Sequence, residues 1–81
     1  MDIEEDVIVE INKILQEELY RLEENYFVPE ARIKQDLEIT DAEKDIILDK
    51  LEYHFVIIIE DWEWDELKTL EDLYKLVNSK I

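Results

Sequence analysis

The chain has no glycine and no cysteine among its 81 residues, and only one proline and one histidine. Without cysteine there is no disulfide framework, no thiolate metal site and no thiol nucleophile. Without glycine there is neither a P-loop nor a dinucleotide fingerprint, and the EF-hand calcium loop, which needs a turn glycine and Asp-x-Asp spacing, is also missing. His54 alone cannot complete a tetrahedral zinc site. The only serine, Ser79, has no histidine at a spacing that suggests a catalytic couple. The carboxylates are many, but no pair stands out as acid and base, so an enzyme is not expected. Cations are scarce: nine Lys and Arg face 24 Asp and Glu, a net charge of −15. Such a surface repels nucleic-acid phosphates and anionic membranes and favours partners with basic patches. A monomer is expected. The longest apolar run, residues 55–59, is too short to span a bilayer. The acidic N-terminus has no basic or apolar leader region, so no signal peptide and a cytoplasmic location are expected.

The apolar share, 47%, is periodic, which implies a folded single domain over residues 1–81 rather than a disordered acidic tail. Ile3, Val7, Ile11, Leu15 and Leu19 recur every fourth residue, with Ile8, Ile14 and Leu22 widening the stripe. This predicts a first helix over residues 3–19 or beyond, with Asp2 and Glu5 at capping-box spacing. Residues 23–32 lose that period. Pro29 marks a connection, and Tyr26, Phe27 and Val28 are apolar enough to pack back onto the core, with Ile33 and Leu37 as further anchors. Thr40 and Glu43 have the spacing of a capping box, and Ile47, Leu51 and Phe55 then form one stripe. A second helix is therefore predicted over residues 41–54.

Residues 56–59 have strand propensity but no second strand to pair with. They read as the end of that helix plus a buried connection. If they lie outside instead, they form an apolar patch beside the tryptophans. A short acidic helical turn carrying Trp62 and Trp64 follows, one packed beneath it and the other partly exposed. Thr69 and Asp72 then cap a last helix with Leu70, Leu73 and Val77 inward and Lys75 and Lys80 toward its end. The sum is an all-α bundle of four helices, with a long first connection and a short third helix.

From Ala31 to about Val77 the pattern resembles the acyl carrier protein family, including peptidyl carrier domains. Residues 31–37 (ARIKQDL) look like the family's loop ending in Asp-Leu. Ile47, Leu51 and Phe55 fall at its core positions, Ile59 at its apolar residue before helix three, and Leu67, Thr69, Leu70, Asp72 and Leu73 at the start of helix four. The resemblance implies a small acidic four-helix bundle, and in a working carrier a 4'-phosphopantetheine arm on a serine at the start of helix two. In the gapless register that serine position is Asp41, within Thr40-Asp41-Ala42, and a carboxylate cannot accept the ester. A one-residue slip would offer the hydroxyl of Thr40. The family's apolar partner-contact positions correspond here to Ala42, Asp45 and Asp49.

Asp41 has two readings. It is a first-turn acid that complements the helix dipole, worth about 0.3–1 kcal/mol, or it mimics the phosphate of a modified serine. The expected role is a non-enzymatic interaction module of carrier type, linked to acyl or lipid metabolism, with no cofactor. Its candidate partner-binding residues are Glu38, Asp41, Asp45, Asp49, Trp62 and Trp64. Two alternatives remain: a carrier with an atypical attachment site, and an acidic inhibitor or nucleic-acid mimic of immunity-protein type.

Overall fold

In a computed structural model, residues 3–81 are described. Among them the order is α1 (Glu5–Glu18), a 3₁₀ turn (Glu24–Tyr26), α2 (Asp41–Phe55), α3 (Asp61–Asp65) and α4 (Leu70–Lys80). No strand occurs among the described residues; the only β feature is an isolated bridge between Arg32 and Thr69. The all-α architecture with a short third helix is as the apolar periodicity implies.

α1 packs against both α2 and α4. Its inward stripe is Val7, Ile11, Ile14 and Leu15, and Leu19, just past its end, is also fully buried. Glu4 is its N-cap without a side-chain bond; the Asp2 half of the anticipated capping box lies outside the described residues. α2 contributes Ile47, Leu48 and Leu51, with Phe55 partly buried against the core. α4 contributes Leu70, Leu73, Tyr74 and Val77. The Tyr74 hydroxyl donates to Asn12 Oδ1 at 2.6 Å, which gives this buried phenol a partner and ties α4 to α1. Burial raises the Tyr74 pKa, opposed by that hydrogen bond.

The long connection is held by backbone bonds rather than by regular structure. The Ile33 N–H donates to the Lys68 carbonyl, Leu70 N–H to Ala31 and Glu71 N–H to Pro29, at 2.9–3.0 Å. Phe27, Ala31, Ile33 and Leu37 are buried along it. Tyr26 and Val28, expected to pack inward, are instead exposed, and of the three only Phe27, just past the 3₁₀ turn, enters the core.

The segment after α2 departs further from expectation. Only Ile59 of residues 56–59 is buried; Ile57 is partly buried, and Val56 and Ile58 are exposed. The reason lies in how α2 ends. Val56 adopts the left-handed region, φ 55° and ψ 53°, and its N–H and that of Ile57 both close onto the Glu52 carbonyl, the usual bonding of a left-handed helix stop. The Glu52 carboxylate then accepts the Ile59 N–H at 2.8 Å. One residue thus fixes the whole turn, with Ile59 inward and its two neighbours outward.

Candidate functional site

The start of α2 is assembled from three parts of the chain. The Asp36 carboxylate accepts from the Arg32 N–H at 2.8 Å, from Nε at 3.2 Å and from Nη2 at 3.0 Å. The Asp36 and Leu37 N–H groups both donate to the Arg32 carbonyl, and Leu37 is fully buried. The chain therefore turns tightly and arrives at α2 pinned from below. Glu38 takes a left-handed conformation, φ 51°, uncommon without glycine. Its carbonyl and that of Leu37 each accept from Arg21 Nη2 at 3.0 Å, and the same nitrogen reaches Glu43 Oε1 at 2.9 Å.

Arg21 comes from just beyond α1 and is the residue that sequence reasoning missed. Its only signal was its rarity, one of nine cations in the chain. Glu43 is doubly held: it also accepts the Thr40 N–H at 3.0 Å, while its own N–H donates to Thr40 Oγ1 at 3.2 Å. This is the capping box the spacing suggested. The hydrogen bond from Arg21 holds the Glu43 carboxyl below the usual glutamate range, aided by the Thr40 N–H and opposed by desolvation. The hydrogen bond from Arg32 likewise lowers Asp36.

Asp41 is the first residue of α2 and is exposed. Thr40, the neighbouring hydroxyl, accepts the cap bond. Along the outer face follow Ala42, Asp45, Asp49 and Tyr53, spaced three or four apart and so on one side of the helix, with Ile46 beside Asp45; all five are exposed. Among the described residues, the side chains of Asp41, Asp45, Asp49 and Glu38 have no hydrogen-bond or ion-pair partner. The acids around them are paired. Glu10 meets Lys13 and His54, Glu17 and Glu18 meet Lys50, Asp61 meets Lys44, and Glu63 meets Lys80 at 3.0 Å. Unpaired acids also lie elsewhere among the described residues, as at Glu5 and Asp6 in the first turn of α1 and at Asp65 and Glu66 after Trp64; the outer side of α2 adds four more in one row with the turn that leads into it.

The two tryptophans separate. Trp64 is 6% exposed and belongs to the core, whereas Trp62 is 61% exposed. Of the pair proposed for partner contact, the structure leaves only Trp62 available; Trp64 faces inward because α3 packs one side of its single turn. His54 Nε2 lies 3.3 Å from Glu10, linking α2 to α1. No group of three or more His, Asp or Glu among the described residues is arranged to hold a metal ion, and no helix of the described residues is long and apolar enough to cross a membrane.

No protein-family model matches the chain, and neither does any curated protein.

Proposed function

We propose that this is a non-enzymatic docking domain of acyl-carrier type that carries no prosthetic arm. The observation that supports it best is the first turn of α2: a rigid, doubly clamped helix start with an exposed, unpaired carboxylate, Asp41, where the resembled family places its modified serine. Four free acids, Glu38, Asp41, Asp45 and Asp49, extend from this turn along the outer side of α2. In a molecule of net charge −15 they favour a basic-patched protein, an enzyme of acyl or lipid metabolism in this reading. Such charges steer encounter and set specificity more than they add affinity. The domain acts in the cytoplasm, as a monomer and without nucleic acid as a ligand.

The test is the intact mass of the purified protein after incubation with coenzyme A and a broad-range phosphopantetheinyl transferase. The mass stays unchanged if the reading holds. Gain of the arm on Thr40 or any other residue would favour a working carrier instead. Competition by DNA for a nuclease partner would favour the acidic inhibitor.

A further inference from the structure

The end of α2 displays more apolar surface than a solvated turn requires. Tyr53 is 89% exposed, Val56 88% and Ile58 70%. Tyr53 lies in the last turn of α2 and Val56 is its C-cap. Val56, Ile57 and Ile58 line an open groove of about 560 Å³ together with Glu52 and Lys80. Trp62 stands four residues further on. Val56 is a β-branched residue in the left-handed region, a genuine outlier for that side-chain type, and it is spread into solvent as well. Backbone strain and an exposed apolar side chain at one position are both unfavourable for the isolated domain.

Charge decides what can cover this groove. Glu52 is part of its lining, held as an acceptor by the Ile59 N–H. Glu60 and Asp61 follow directly and are exposed, Asp61 at 3.7 Å from Lys44. The one cation in the lining, Lys80, is paired with Glu63. A second copy would bring another −15 to the same place, and anionic lipid or nucleic acid would be repelled equally.

We propose that the groove at the end of α2 is a docking site for an amphipathic, Lys/Arg-flanked segment of a partner protein. Its apolar face covers Val56, Ile58 and Trp62, and its basic edge meets Glu52, Glu60 and Asp61. This deepens the docking-domain reading and rests on it, but moves the centre of contact from the acidic side of α2 to the turn beyond. Apolar anchors ringed by charge are the usual arrangement of an interface centre, and helix-in-groove binding is the mode it matches.

The experiment titrates the full chain with a Trp-free amphipathic Leu/Lys peptide, and with a peptide of the same composition in scrambled order, reading tryptophan emission. The amphipathic order should bind about tenfold more tightly than the scrambled one and shift emission to the blue, a shift that Trp62→Phe abolishes because Trp64 is already buried. Val56→Asn with Ile58→Thr, both tolerated at exposed positions, should erase the preference for amphipathic order while circular dichroism stays that of the folded protein. Equal binding of the two peptides by the unaltered protein, or an undiminished preference in the double variant, overturns the proposal. So does a blue shift produced by phosphatidylcholine vesicles or by raised protein concentration alone. Loss of binding only in Asp45→Asn with Asp49→Asn would return contact to the acidic side of α2, keeping the docking domain and overturning the groove. A mass gain in the transferase assay would remove the unloaded reading while leaving the peptide result to stand.

Discussion

Single residues set the two ends of α2. At its start, Thr40→Ala removes one half of the capping box and should cost about 0.5–2 kcal/mol in urea unfolding. Arg21→Ala should cost a comparable amount. All three bonds leave one nitrogen, Nη2, so Arg21→Lys, whose ammonium carries three donors on one nitrogen, should restore part of it. At its end, Val56→Asn should raise stability by about 1 kcal/mol, since asparagine accepts the left-handed conformation far more readily. A destabilised Val56→Asn protein would show that the valine side chain contributes packing its exposure does not reveal.

Elements were legible in the sequence to the extent that their signal is local. The stripe through Val7, Ile11 and Leu15 and the Thr40–Glu43 and Thr69–Asp72 pairs are contained within a few residues, and each forms as its spacing implies. The connection at residues 56–59 reads as buried in the sequence, yet of its four residues only Ile59 is. A run of Val and Ile carries no sign of direction, and the bond that turns Val56 and Ile58 outward is made by Glu52 several residues earlier. Trp62 and Trp64 were equivalent on paper for the same reason; a single helical turn decides which faces in. Arg21 escaped because its partners, Leu37, Glu38 and Glu43, lie 16–22 residues away. α3 is too short to stand alone and depends on the Glu63–Lys80 pair and on Trp64. Trp64→Ala should therefore unfold the domain by about 3–5 kcal/mol, against a negligible change for Trp62→Ala, measured by thermal denaturation of both.

For the whole molecule, the charge of −15 makes stability depend on pH in two opposed ways. Acidification from neutrality toward about pH 5 begins to relieve mutual repulsion among the carboxylates and should raise the melting temperature. Below the ordinary glutamate value of 4.5 the trend reverses. Glu43 is lowered in the folded state by its hydrogen bond from Arg21, and Glu63 by its bond from the Glu60 N–H and then by Lys80. A group lowered on folding stabilises the native state fully above its unfolded pKa, and that contribution is lost as pH falls through the folded value. A melting temperature that peaks in mild acid and drops below it is the expected profile, and salt should flatten its rising limb by screening.

In the proposed function, α2 begins as a carrier helix does, with an acid, Asp41, in place of the alcohol that would take the arm. This is tested most directly by intact-mass measurement of the unaltered protein beside Asp41→Ser, each incubated with coenzyme A and a broad-range phosphopantetheinyl transferase. Asp41→Ser is expected to gain the arm and the unaltered protein is not. A gain by the unaltered protein, or none by the serine variant while it remains folded, would contradict the proposal.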